Sequence, residues 1–273
     1  MTIQRTVGFI GMGNMASAIA SGMIQSGFTL PQDILAFDKE QEKLRNFCAA
    51  HGIREASNNE EIVRLADVVV LAIKPNMFAS VLPPLREVAT EKRPMFVSIA
   101  AGTPLQRIES LLGALPVVRV LPNVNAQVGA GMAALCRNEH ASAEHLDYVE
   151  SLFDSLGRTV RIEERLFGIF SAVAGASPAF TFMFIEGLAR GGLKAGMTKQ
   201  QAVMAAAQAV MGSAKLVLES QQAPSVLVDT VCSPGGTTIA GVAALEENAF
   251  VGAVMQAVEA ADLRDKELAE GKA

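Results

Sequence analysis

The stretch 8-GFIGMGNMA-16 ends an apolar run and opens a helical pattern, placing Gly11, Gly13 and Ala16 at the spacing of a phosphate-binding turn. Each position has a mechanical reason. Gly11 permits the tight turn, Gly13 lets a pyrophosphate approach backbone amides, and Ala16 allows the helix to pack closely on the strand. The helix N-terminus adds partial positive charge, so the turn predicts dinucleotide binding.

Outward from that turn, β-branched runs at 5-RTVGFIG-11, 33-DILAFD-38, 67-DVVVLAI-73, 95-MFVSIA-100 and 117-VVRVLP-122 alternate with helical patterns at 14–27, 39–52 and 58–66. This rhythm predicts a parallel sheet, extended by 130-AGMAALC-136 and 158-RTVRI-162. From residue 164 the strand patterns stop and Ala, Met and Leu-rich stretches predict helices at 164–195, 198–220, 224–231, 237–245 and 247–270. Thr198 with Gln201 has the form of a capping box at the start of one of them. The expected fold class is α/β: an N-terminal Rossmann-type doubly wound sheet over 1–163 and an all-α domain over 164–273.

Half of the 273 residues are hydrophobic and 19% are charged, an apolar balance that predicts burial of surface against another subunit. A net charge of -5 gives no basic footprint, which argues against nucleic acid as a partner. Three widely spaced cysteines, Cys48, Cys136 and Cys232, read as reduced thiols, with no spacing for a metal. The N-terminal residues run straight into a strand without the pattern of a signal peptide, so the expectation is cytoplasmic. The uncharged segment 166–185 has the length of a membrane span, but Ser171, Ser177, Pro178 and Thr181 interrupt it. It is expected inside a multi-helix or subunit core, with no membrane as partner.

In an open parallel sheet, ligands sit outside the carboxyl ends of the strands. Asp38, at such an end, can accept hydrogen bonds from an adenosine ribose and by itself favours NAD, while Lys39, Lys43 and Arg45 behind it leave the preference open. Lys74 and Pro75, then Ala100, Ala101 and Gly102, and finally Asn123, close later strands and are expected to face the same cofactor. For the chemistry, His51, His140 and His145 all sit in surface-like settings, which leaves no obvious strong base. Reduction of an already polarised C=N bond needs none, so an imine substrate becomes attractive. The loop 233-SPGGTT-238 suits it: exposed amides, three hydroxyls and a following helix N-terminus hold a carboxylate well.

With GFIGMGNMASAI, LAIKPNMF, VSIAAGTPLQRI, VLPNVNAQVGAG, AGASPAFTFMFIEGLARGGLKAGM and VCSPGGTTIAGVAALE, the chain resembles pyrroline-5-carboxylate reductases along essentially its whole length. The resemblance implies reduction of 1-pyrroline-5-carboxylate to L-proline with NADPH or NADH, and a helical dimerisation domain whose homodimers assemble into a homodecamer. It implies Met12, Asn14 and Met15 on the pyrophosphate, Asp38 and Asn59 near the adenosine, and Ile73, Lys74, Ala100 and Asn123 on the nicotinamide side. It places Ala176 and Ser177 beside the hydride-transfer site. Ser233, Gly236, Thr237 and Thr238 form the substrate loop, with Glu164 a further substrate-side contact and Thr238 the catalytic hydroxyl near the ring nitrogen.

Two stretches depart from that family's pattern. Ala174, Ala176 and Phe180 replace hydroxylated residues of a Ser-Gly-Ser-Gly-Pro-Ala-Tyr motif, and residues 122–125 read Pro-Asn-Val-Asn in place of Pro-Asn-Thr-Pro. A hydroxyacid-type dehydrogenase shares the first half, but it relies on a lysine in its second domain, and Lys194 has no distinctive setting. A non-catalytic dinucleotide sensor has no use for the hydroxylated loop.

Overall fold

The computed structural model describes residues 5–269. Its first elements are β1 (Val7–Ile10), α1 (Asn14–Gln25), β2 (Ile34–Phe37), α2 (Gln41–His51), β3 (Arg54–Glu55), α3 (Asn59–Leu65) and β4 (Val68–Leu71). There follow α4 (Phe78–Val81), α5 (Arg86–Lys92), β5 (Met95–Ser98), α6 (Leu105–Leu112), β6 (Val117–Leu121), β7 (Gly131–Arg137), α7 (Ala143–Asp154) and β8 (Gly157–Arg161). The eight strands form one sheet in the order β3-β2-β1-β4-β5-β6-β7-β8. All neighbours are parallel except β6 and β7. Strand order reverses across β1, which is the topological position where doubly wound sheets open a crevice.

The apolar runs are continuous because both faces of the central strands are covered. In β4, Val68 and Val70 join one core, with Phe9, Ile19 and Met23, while Val69 and Leu71 join the other, with Ile62, Phe78 and Phe96. The period-2 alternation of Cβ directions thus feeds two cores from one strand.

The structure trims the first five expected strands by a residue or two at their ends, shifts the last two by one residue, and adds elements that periodicity missed. β3 is two exposed residues, Arg54 and Glu55, paired with Leu35 and Ala36 at the sheet edge. So short a polar strand leaves no pattern. α7 rises from the charged stretch around His140 and His145, with a capping box between Ser142 and His145 and Leu146, Val149, Leu152 and Phe153 buried. His145 is therefore a helix-start residue, and burial lowers its pKa.

The helical portion contains α8 (Phe167–Phe170), a π-helical segment Ser171–Ala176, α9 (Ser177–Lys194), α10 (Lys199–Ser220), α11 (Pro224–Val231), α12 (Thr237–Glu247) and α13 (Phe250–Ala269). The single helix expected over 164–195 is interrupted, and Pro178 gives the reason. Pro178 has no N–H to offer the carbonyl four residues back, and its ring crowds that carbonyl. The Ala174 carbonyl instead accepts a hydrogen bond from Asn123 Nδ2 at 2.9 Å. The Thr198 and Gln201 capping box at the start of α10 forms as expected.

Residues form two compact units, one of 5–175 with α13 from Asp262 onward and one of Ala176–Ala261. Phe167 packs on Leu121 and Ala134 within the first unit. In the second unit, Phe182, Met183, Met204, Val231 and Val251 are 61 to 75% exposed, so a single chain leaves much apolar surface uncovered. By length and composition alone, Glu164–Lys194 and Lys199–Ser220 are long and apolar enough to cross a membrane.

One buried residue ties several loops of the sheet unit together. Asn138, 6% exposed, accepts hydrogen bonds from the Val117 and Ala141 amides and donates to Glu109 and the Leu115 carbonyl. Asn138→Ala leaves two buried amides unpaired and is expected to cost about 2–4 kcal/mol in chemical denaturation.

Candidate active site

The glycine turn joins β1 to α1 where the sheet opens. Gly11 has φ of +93°, and a Cβ there would lie 2.8 Å from the Ala72 carbonyl oxygen. Its N–H donates to the Phe37 carbonyl at 2.8 Å, so the turn is wedged between the ends of β2 and β4. At Gly13 the situation is opposite: a Cβ would meet no atom within 4 Å. Gly13 is also the N-cap of α1, with no side-chain cap and no acid in the first turn. The first amides of α1 are thus free to hold an anion in the open space beside Gly13.

Asp38 occupies the expected strand end, and its carboxylate is tied to the backbone. Oδ2 accepts the Met12 N–H at 2.7 Å and Oδ1 accepts the Glu40 N–H at 2.9 Å. It therefore holds the glycine turn to the end of β2, whatever else it binds. The Met12 side chain is buried in the core, Met15 packs against that core, and Asn14 is exposed at the helix start.

A cleft of about 250 Å³ brings together Gly11, Gly13, Asp38, Lys39, Asn59, Ile73 and Lys74. Met77 and Val81 line it too, and sequence reasoning missed them because their apolar side chains read as helix core. Asn59 Oδ1 is buried there without a hydrogen-bond partner, which marks a place for a ligand donor. Among the described residues the three histidines lie outside this lining. Pro75 is exposed outside it, and Ala100, Ala101 and Gly102 form the loop after β5, with Ala100 buried and the other two exposed. Asn123 is 7% exposed, and both ends of its amide are engaged, with Met132 N–H donating to Oδ1 at 3.1 Å.

Glu164, expected on the substrate side, makes two contacts within the sheet unit. One oxygen, Oε1, accepts both Arg119 Nη1 and the Leu105 N–H, each at 2.8 Å. In the second unit, the loop before α12 turns through Gly235 at φ +68°, and the Gly236 N–H closes it onto the Ser233 carbonyl at 3.0 Å. Gly236 is the α12 N-cap, without a side-chain cap or an acid in the first turn. The exposed hydroxyls of Ser233, Thr237 and Thr238 surround that helix start, and Ser177 begins α9. An uncapped helix N-terminus flanked by hydroxyls offers hydrogen-bond donors and partial positive charge to an anion.

The doubly wound sheet, the open glycine turn and the cleft beside it define a dinucleotide-dependent oxidoreductase. Residues 6–102 match the family model described as NADP oxidoreductase coenzyme F420-dependent, and residues 164–268 match pyrroline-5-carboxylate reductase dimerisation. The pyrroline-5-carboxylate reductase of Methanosarcina acetivorans is 40% identical over 97% of this chain and 98% of its own length. That of Escherichia coli is 38% identical over 94% and 95%. Among solved structures, a Coxiella burnetii pyrroline-5-carboxylate reductase superposes with a TM-score of 0.91 at 32% identity, covering 97% of this chain and 98% of that one. A Plasmodium falciparum pyrroline carboxylate reductase with NADP bound gives 0.86 at 30%, with the same coverage. The chain belongs to the pyrroline-5-carboxylate reductase family.

Gly13→Val separates folding from ligand binding, because the position has ordinary φ and open space. It is expected to leave the melting temperature within about 2 °C while weakening dinucleotide binding more than about tenfold, since the side chain fills the anion space. Calorimetric titration with NADPH and a thermal melt check both halves.

Proposed function

We propose that this enzyme works through two half-sites, the glycine cleft for the dinucleotide and the α12 N-terminus for the substrate. The reaction is reduction of 1-pyrroline-5-carboxylate to L-proline, the last step of proline synthesis. NADPH or NADH, when bound, supplies the hydride. The observation that carries this reading is the presence in one chain of an open, uncapped turn at Gly13 and an open, hydroxylated helix start at Gly236.

The first half-site holds charge by position. The amides of Asn14 and Met15 at the start of α1 receive the pyrophosphate, with Gly11, Met12 and Gly13 shaping the turn and Asp38 fixing it. Asn59 offers its unpaired oxygen to the adenosine, and Lys39 stands at the cleft edge where a 2′-phosphate would be neutralised. Ile73 and Lys74 form the next wall, Pro75 starts the helical turn that follows them, and Ala100, Ala101, Gly102, Asn123 and Ala176 belong to the nicotinamide side.

In the second half-site the α12 amides and the hydroxyls of Ser233, Thr237 and Ser177 bind the substrate carboxylate. Thr238 directs its hydroxyl to the ring nitrogen. A threonine hydroxyl is far too weak an acid to protonate an imine alone, so Thr238 orients or relays a proton onto a nitrogen that reacts as the iminium.

The functional domain division is 1–163 for the dinucleotide and 164–273 for assembly and substrate. Phe182, Met183 and Met204 are then covered by the partner chain of a homodimer rather than by lipid, with dimers assembling into a homodecamer. Free Cys48, Cys136 and Cys232 and the substrate chemistry fit a cytoplasmic enzyme.

Thr238→Ala is expected to lower kcat by at least about tenfold while leaving the NADPH Kd within about twofold. Unchanged turnover with the five-membered imine would remove Thr238 from the mechanism. In light scattering the active species is expected as a dimer or a multiple of it, and a fully active monomer would overturn the assembly.

A further inference from the structure

The bond between Glu164 and Leu105 joins residues 59 positions apart, and it lies at the end of a loop that matters to the proposed cofactor site. Residues 99–104 connect β5 to α6 and carry Ala100, Ala101 and Gly102. The upstream end is held by the Ile99 N–H on the Leu71 carbonyl at 3.2 Å. Inside the loop the bonds are long: Ala100 N–H to Ser98 Oγ at 3.5 Å and Thr103 Oγ1 to the Ala101 carbonyl at 3.4 Å. The downstream end has no local cap, because Pro104 at the α6 N-cap has no side chain able to accept. Glu164 supplies that acceptor from another part of the chain.

Arg119 fixes Glu164 in turn. Its side chain, on β6, is 9% exposed, and its guanidinium sits 4.5 Å over the Phe167 ring. A buried guanidinium needs a counter-charge, and removal of one partner strands the other. Asp265 faces the same region, but burial raises its pKa against the pull of Arg119, which makes it a poor substitute anion. Glu164 is the carboxylate within ion-pair distance of Arg119 among the described residues.

We propose that Arg119 and Glu164 are a positioning pair that sets the 99–104 loop for cofactor binding, so that Glu164 acts on the loop and not on the substrate. This rests on the reading that the loop lines the nicotinamide side. The expected consequence separates two ligands: loss of Glu164 weakens the dinucleotide and spares the imine.

The test measures amide exchange over 99–105 in cofactor-free protein, NADPH Kd by titration, and imine KM at saturating NADPH. Glu164→Ala is expected to speed exchange and to raise the NADPH Kd about tenfold, the size of one buried hydrogen bond to a charged acceptor, with imine KM within about twofold. Glu164→Gln keeps an oxygen for the Leu105 N–H and loses the charge facing Arg119. It is expected to raise the same Kd about threefold, and it decides the question if the alanine variant does not fold. A rise in imine KM with exchange and NADPH Kd unchanged would make Glu164 a substrate contact and overturn the proposal, as would no change in any of the three. Wild-type turnover of the imine, measured alongside, tests the functional reading separately, because exchange in the free protein does not depend on it.

Discussion

The sheet unit depends on a close approach at Gly11, where the chain leaves β1 between the ends of β2 and β4. A backbone carbonyl stands where a Cβ would be, and the glycine N–H is spent on the neighbouring strand end. Only a residue without a side chain, free to adopt positive φ, can turn there. That turn lets α1 start at the crevice, and the crevice is where strand order reverses. Asp38 extends the constraint by binding the next amide of the turn, so the glycine turn is tied to the end of β2. Backbone amides, unlike side chains, are aimed only by the path of the chain, and these two hydrogen bonds fix that path through the turn.

A second device operates where α9 begins. Pro178 denies the Ala174 carbonyl its helical donor, the helix widens into a π segment, and the buried amide of Asn123 takes the orphaned carbonyl. The same amide also receives Met132. One side chain therefore joins the exit of β6, the entry of β7 and the interrupted helix. The Asn123 position is sensitive for that reason, whether or not it also touches a ligand.

The helical unit differs in character from the sheet unit. Its apolar residues are arranged for contact but find too little within one chain, and even the hydroxylated helix start at Gly236 is exposed. Covering that surface with a second copy turns an apolar composition into a stable assembly. The dimerisation model matched by 164–268 gives the same segment the same task in its relatives.

Much of this was legible in the residues. The glycine turn, the alternation of strands and helices, the change of texture at 164 and the hydroxylated loop at 233–238 are local patterns set by sterics, periodicity and capping, and they fixed fold class and both proposed half-sites. Even Thr198 with Gln201 capped its helix as read. What remained hidden required neighbours distant in the chain. β3 exists only because β2 offers it an edge, and Asn138 matters only because four separate groups converge on it. Asp38 reads as a ligand contact from its strand end and Glu164 from the family resemblance; that both carboxylates also hold backbone amides is visible only after folding. Sequence determines which groups carry charge and where helices begin; the tertiary fold alone decides which donor reaches each acceptor first, because hydrogen bonds form over about 3 Å and not over sequence distance.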